Sequence, residues 1–315
     1  MKVDILILNH NGRELLEECL PSICKASAAS IYRPKILVVD NVSSDGSHEF
    51  IEKNYPDICF KKMKENKVLS SFNEVAQESD ADIIILLNND IKVDENFIDP
   101  LVSVFAKDQK SFMASFKTYN FDKTGLDCIW FVPRFRHGVF TAISAHKVGK
   151  EDKPGICYTF QSGMAAFNRK KFLEVGGFDD IYLPGRIEDS DLHFRAWKRG
   201  YRCYYQPESI VYHKASVSFK KVFNEKEMLA LSHRNVFVFT WKNIRDPFLL
   251  FKHFVFLIPR FAYAIITFKT EIITGFFRAL SMLSQVLRKR KEAKKHNFIS
   301  DTKLFKLFDG KVIAF

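Results

Sequence analysis

No CxxC pair occurs anywhere in the 315 residues; the six cysteines, at positions 19, 24, 59, 128, 157 and 203, are scattered. Zinc ribbons and disulfide scaffolds need paired spacings, so neither is expected, and the setting reads as reduced and cytoplasmic. No secretory leader is expected either: Val3 to Leu8 is a six-residue apolar run interrupted by Asp4, far short of a signal core. Long uncharged apolar runs are missing too. In the most apolar part, Phe248 to Phe268, the longest stretch without charge or histidine is eight residues (261–268), against the ~20 of a spanning helix. There is no internal repeat and no low-complexity segment. With 47% hydrophobic and 27% charged residues, the composition is globular rather than disordered.

What is there is unevenly distributed. The net charge is +11, but residues 214–315 hold 20 Lys or Arg against 7 Asp or Glu, a balance of +13 that leaves −2 for residues 1–213. Half of the 32 phenylalanines, 16, also fall in that last third. A near-neutral globular part is therefore followed by a cationic, Phe-rich tail, and a basic surface binds polyanions, either nucleic acid or anionic lipid.

The first ninety residues alternate strand and helix signals. Val3–Leu8, Ile36–Val39 and Ile83–Leu87 are continuous aliphatic runs, as in parallel strands buried on both faces. Helical spacing follows over Glu14–Lys25, Ser47–Asn54 and Phe72–Glu78, with a short strand near Ile58–Lys61. This pattern predicts an α/β domain with a parallel doubly wound sheet, whose ligands bind at the carboxyl ends of the strands. Asn9, Asn11, Asp40, Asp45 and Asp90 fall at those ends. Residues 112–165 are less regular. A helix from Lys171 to Val175, a Gly176-Gly177 turn, a helix from Glu188 to Arg199 and a strand over Cys203–Gln206 complete this part.

Three acidic positions carry possible chemistry. Asn88-Asn89-Asp90, after a buried strand, can hold a hard divalent cation, or can be an ordinary Asx-rich turn. Asp40 can accept hydrogen bonds from a base or ribose, or close a turn. Glu188-Asp189-Ser190-Asp191 stands where a helix begins, so its carboxylates cap the dipole or one serves as a general base. His213 suits manganese alongside Asp90, or is structural.

Five ordered motifs resemble those of family-two inverting glycosyltransferases. They are Ile7-Leu8-Asn9-His10-Asn11-Gly12; Val38-Val39-Asp40-Asn41-Val42-Ser43-Ser44-Asp45-Gly46-Ser47; Leu86-Leu87-Asn88-Asn89-Asp90; Gly176-Gly177-Phe178-Asp179; and Glu188-Asp189-Ser190-Asp191-Leu192 with Arg195, Gly200-Tyr201, Pro207 and Tyr212-His213. The resemblance covers residues 1 to about 215 and is to bacterial polysaccharide-type, rhamnosyltransferase-like members. It implies the GT-A fold, a doubly wound mixed sheet with a nucleotide-sugar-binding half (1–110) and an acceptor-binding half (111–215).

By the same resemblance, Leu8, Asn9, Asn11, Asp40, Asn66, Asn73, Asn88 and Asn89 would surround a UDP- or dTDP-linked sugar donor. Asp90 and His213 would ligate Mn2+ or Mg2+, Asp189 would be the catalytic base, and Glu188, Asp191 and Gly163 would line the site of a glycan or lipid-linked acceptor. Two departures stand out. Asn88 replaces the first Asp of the family's DxD element, and the loop Glu65–Asn73 lacks the glycines usual there. The alternative on the same fold is a non-catalytic sugar-nucleotide-binding scaffold.

The tail, residues 216–315, reads as helical. On a helix Lys252, His253 and Arg260 share one arc, and Ile272, Ile273, Phe276, Phe277, Leu280, Leu283 and Leu287 share another, followed by Arg288-Lys289-Arg290-Lys291 and Lys294-Lys295. Amphipathic, Phe-rich helices beside a polybasic cluster predict peripheral attachment to the anionic inner face of the cell membrane. Packing on the catalytic part or in a homodimer is the other reading. No nucleic-acid recognition motif accompanies the charge, so no nucleic-acid partner is expected. A chain ending near Ala215 is expected to be soluble on its own.

Overall fold

The computed structural model describes residues 1–128, 131–144, 152–159, 163–214, 224–293, 298–309 and 313–314. The boundary expected near residue 215, and Lys294 and Lys295, lie outside these.

The aliphatic runs form β1 (Val3–Asn9), β2 (Lys35–Asp40) and β4 (Ile83–Asn88), with β3 (Cys59–Lys62) at one edge. β1 pairs in parallel with both β2 and β4, and β2 with β3. Helices α1 (Arg13–Ala29), α2 (Ser47–Asn54) and α3 (Ser71–Glu78) make the crossovers. β1 and β4 are buried on both faces, which is why their sequences do not alternate.

The sheet then becomes mixed. After β5 (Ile91–Val93) and α4 (Ile98–Lys107) come β6 (Ser111–Asn120), β7 (Leu126–Cys128), the hairpin β8 (Phe131–Arg136) and β9 (Val139–Ser144), β10 (Gly155–Cys157), β11 (Ala165–Asn168), α5 (Arg169–Val175), α6 (Glu188–Lys198) and β12 (Arg202–His213). β11 lies antiparallel between β4 and β6, and β12 runs parallel to β6. Far from irregular, β6 is a ten-residue strand in the middle of the sheet. Its polar residues are bonded at a distance, Ser115 Oγ to the Tyr204 carbonyl at 3.2 Å and Ser111 Oγ to that of Val104 at 3.2 Å. β12 also outruns its expected end at Gln206. A register shift between Gln206 and Ile210 accommodates Pro207, which cannot donate to a ladder.

Among the described residues five helices follow: α7 (Glu225–Asn243), α8 (Pro247–Ile266), α9 (Thr270–Ser281), α10 (Leu283–Ala293) and α11 (Asp301–Leu307), with a short β13 (Ile313–Ala314) beside β10. The core does not stop at β12. Phe237, Val238 and Phe239 of α7 are buried in it, and Phe239 stacks on Phe140 of β9 at 3.9 Å between ring centres. The amphipathic stretch over 270–293 is two helices, broken at Met282. Its buried line is Ile272, Gly275 and Ala279 with Val286, while Phe277, Leu280 and Leu287 stay exposed. A Cβ on Gly275 would sit 2.6 Å from the His233 Cβ, so glycine lets α9 approach α7 closely.

Candidate active site

The carboxyl ends of β1, β2 and β4 converge on a buried amide–carboxylate network. Asn9, fully buried, donates to Asp40 Oδ1 at 3.0 Å and to Ser43 Oγ at 3.1 Å, and its own Oδ1 accepts from Asn89 at 2.7 Å. Asp40 Oδ2 accepts from the Ser43 backbone N–H at 2.9 Å. Asn11, in the left-handed region at φ 47°, accepts from Ser44 N–H at 2.8 Å. Gly12 clears the space for this network: a Cβ there would meet Asn89 Nδ2 at 1.9 Å. Leu8 and Asn88 flank it as register partners. Six of the expected donor residues, Leu8, Asn9, Asn11, Asp40, Asn88 and Asn89, are thus brought together. Asp40 is 1% exposed, however, and each of its oxygens already has a protein donor.

Two expected donor residues are used otherwise. Asn66 accepts from Val68 N–H at 2.9 Å and shapes its own loop. Asn73 exchanges two hydrogen bonds with the Phe178 backbone, at 2.8 and 2.9 Å, and so ties α3 to the Gly176–Phe178 turn. Gly177 permits that contact, because a Cβ would lie 2.1 Å from Asn73 Oδ1.

Asp90 is 4% exposed, and its Oδ1 is buried without a hydrogen-bond partner. Its Oδ2 lies 3.5 Å from His213 Nε2. The antiparallel pairing of β12 with β5, His213 opposite Ile91, creates this meeting of residues far apart in sequence. On its other side His213 Nδ1 meets Asp127 Oδ2 at 2.6 Å. Burial disfavours a charged ring, but the hydrogen bonds to Asp127 and Asp90 outweigh it and push the His213 pKa up to about 9. Asp127, on β7, escaped the sequence reading, since nothing in its neighbourhood marks it. Among the described residues, no group of three or more His, Cys, Asp or Glu forms a ready cation cage. The pair nevertheless fits one: an orphaned carboxylate oxygen beside an imidazole nitrogen, oriented by a carboxylate behind it, is an oxygen–nitrogen donor set for Mn2+ or Mg2+.

Asp189 stands in the first turn of α6 with Oδ1 accepting from Ser190 N–H at 2.6 Å. The backbone leading into it is unusual. Gly185, Arg186 and Ile187 have φ of 143°, 71° and 73°, and for a β-branched residue that region is costly. Two side chains of α7 hold this entry, Arg234 donating to the carbonyls of Tyr182 and Leu183 at 3.2 and 2.6 Å. Asn235 of α7, fully buried, donates to the carbonyls of Tyr182, Gly185 and Arg186 at 3.2, 2.7 and 2.8 Å. The sequence offered no sign of it, because Asn235 lies in the tail read as an appendage.

The neighbours of Asp189 differ sharply. Glu188 Oε2 is buried without a partner, and burial together with the Asp189 carboxylate pushes its pKa up to about 8. Asp191, expected at the acceptor, is 0% exposed and fully engaged. Its Oδ1 receives Tyr182, Asn243 and Lys242 at 2.8, 2.7 and 2.8 Å, and its Oδ2 receives Arg195 at 2.7 Å. No acceptor hydroxyl can reach it, and its role is to bind α6 to α7. Gly163, at φ 64°, is buried against Leu69 and Phe178, where a Cβ would come within 2.8 Å, so it shapes packing beside the donor loop.

The mixed sheet with this site at its strand ends has the GT-A fold. The chain belongs to glycosyl transferase family 2, whose model matches residues 4–176, ending before α6. No curated protein matches it in sequence. Among solved structures it resembles S. aureus TarS 1-349 in complex with UDP-GlcNAc, with TM-score 0.58 and 12% identity, over 94% of this chain and 88% of that one. A mannosyltransferase from Pyrobaculum calidifontis in complex with GDP-Man and Mn2+ superimposes with TM-score 0.53 and 16% identity, over 89% and 87%. GalNAc-T7 with UDP, GalNAc and Mn2+ does so with TM-score 0.56 and 15% identity, over 77% of this chain but 48% of that one. The chain thus spans about half the length of GalNAc-T7.

Proposed function

We propose that the protein is a metal-dependent, inverting glycosyltransferase that moves a sugar from a UDP- or dTDP-linked donor to a glycan or lipid-linked acceptor in surface-polysaccharide synthesis. The observation that carries this reading is the buried, unpartnered Oδ1 of Asp90 beside His213 Nε2. An orphaned buried carboxylate oxygen is costly unless a cation completes it. The donor complexes and Mn2+ of the structural relatives support it.

In this reading the β1–β2 network holds the nucleotide end, and Asp90 with His213 would hold the cation. When bound, such a cation neutralises charge growing on the diphosphate leaving group. Asp189 takes the proton of the acceptor hydroxyl. That oxygen forms a bond to the anomeric carbon from the face opposite the departing nucleoside diphosphate, whose carbon–oxygen bond breaks. A single displacement inverts the configuration, and no enzyme carboxylate becomes a nucleophile.

Transfer rate and donor affinity, measured together, test both roles. Asp90→Ala should abolish Mn2+-dependent nucleotide binding in calorimetry while the fold survives. Asp189→Asn should slow transfer about 10²–10⁴-fold, the usual contribution of a general base, with donor and metal binding retained. Unchanged metal-dependent affinity in the first variant, or normal turnover in the second, would remove the assignment. Donor binding without any nucleotide release from the wild type would favour a sugar-nucleotide-binding scaffold instead.

A further inference from the structure

Helix α8 is turned inside out relative to a soluble amphipathic helix. Its polar arc faces the protein. His253, 1% exposed, bonds the Gly138 carbonyl through Nδ1 at 2.6 Å and accepts from Trp241 Nε1 at 2.8 Å, while Arg260 donates to the His137 carbonyl at 2.8 Å. The opposite arc, about 120° wide at 100° per residue, is apolar and open: Phe248, Phe251, Phe254, Val255, Ile258, Ile265 and Ile266 are 47–75% exposed. Phe268, 86% exposed, extends it past the helix end. Scattered surface apolar residues are ordinary, but seven on one face of a helix are not.

The geometry points to this face as a docking surface for an anionic lipid bilayer, with α8 lying in the headgroup–acyl boundary. Charge decides between a membrane and a second copy. No acidic residue lies on α8. Lys252 sits at the edge of the apolar arc over the Phe248 ring at 4.4 Å, and Lys269 stands over Tyr263 at 5.1 Å. Arg278, Arg288 and Lys291 are exposed on α9 and α10. Self-pairing would bring together two tails that each carry +13 over residues 214–315, whereas anionic headgroups neutralise that charge. With 20 residues, α8 is by length and composition long and apolar enough to cross a membrane. Crossing would tear His253 and Arg260 from the β8–β9 turn and bury them in hydrocarbon, so the helix lies along the surface. This inference is independent of the catalytic reading.

Co-sedimentation of the full chain with vesicles tests it. The wild type should pellet with phosphatidylglycerol-containing vesicles, less at high salt, and weakly with phosphatidylcholine alone. Combining Phe251→Ser, Phe254→Ser and Ile258→Ser should weaken binding at least about tenfold, given the apolar area removed, with an unchanged melting temperature because these side chains are exposed. Combining Lys252→Glu with Lys269→Glu should abolish the preference for anionic vesicles. Failure to bind vesicles of either composition overturns the inference. So does a stable wild-type dimer in sedimentation velocity that the triple serine variant dissociates while vesicle binding persists, since the occupant would then be a second copy.

Discussion

Glu188 and Asp189 are adjacent carboxyls with different bonding, Asp189 Oδ1 accepting from Ser190 N–H while Glu188 Oε2 is buried without a partner, and the contrast has a measurable consequence. Burial and the neighbouring Asp189 charge raise the Glu188 pKa to about 8, against an ordinary value of 4.5. The folded protein therefore binds a proton that the unfolded chain has already released at neutral pH. The stability this proton contributes is complete below the ordinary value and falls away as pH rises toward about 8. Glu188→Gln, which keeps the shape and cannot ionise, removes that slope. The melting temperature of the variant minus that of the wild type should grow steadily from pH 5 to pH 8 and then level off. A difference that stays flat over that range means that the Glu188 carboxyl is solvated and ordinary. A neutral Glu188 also spares the start of α6 a second negative charge beside Asp189, which suits a site where one carboxylate takes the proton.

At the scale of elements, α6 depends on α7. Asn235→Ala would leave the Gly185 and Arg186 carbonyls without this donor, while the Tyr182 carbonyl keeps Arg234 and the Gly185 N–H. Leaving buried polar groups unpaired costs about 1–3 kcal/mol each, so the strained entry through Arg186 and Ile187 should relax and carry Asp189 with it. Transfer is expected to fall at least about tenfold, a 1.4 kcal/mol loss in the transition state, while Mn2+-dependent nucleotide binding at Asp90 is retained. Normal turnover would mean that the loop is held by other contacts. The parallel half of the sheet was legible because β1, β2 and β4 are uninterrupted aliphatic runs ending in Asn and Asp, and the start of α6 because its acidic residues stand where a helix dipole favours them. β6 was not legible, because Ser111, Ser115 and Lys117 look like surface residues until their distant partners are known. Nor was the service of Asp191, since a helix wheel separates it from Asp189 but cannot say that Lys242 and Asn243 await it. Asp127 and Asn235 depend wholly on tertiary contacts between distant segments.

On the scale of the whole molecule, the tail is part of one folded unit with the sheet. Lys242 of α7 reaches Asp179 at 2.5 Å and Asp191 at 2.8 Å, and Lys289 of α10 reaches Asp179 at 2.7 Å. Burial alone would raise both carboxyls, yet Lys242 and Arg195 hold them below the ordinary carboxylate range. Further along, Lys198 of α6 pairs with Asp301 of α11 at 2.6 Å, both nearly fully buried. Deleting one partner of a buried ion pair costs about 3–5 kcal/mol, because the other charge is left uncompensated. A chain ending before residue 224 would lose the lysine partners of Asp179 and Asp191 and the Asp301 partner of Lys198 together, and would uncover Phe140 and Phe194 where Phe239 now packs. Two such losses are comparable to the 5–15 kcal/mol that about spans the stability of a folded domain. The truncated chain is therefore expected to aggregate or to lack a cooperative melting transition by circular dichroism, where the full chain shows one. Ending the chain after residue 293 instead keeps Lys242 and Lys289 but removes Asp301 and the packing of Phe305 on Phe194 and of Phe308 on Trp197, so that protein should melt cooperatively at a lower temperature. If the shorter chain melts as sharply and as high as the full one, the tail is an appendage after all, and the ion pairs at Asp179 and Asp191 contribute little to holding the fold.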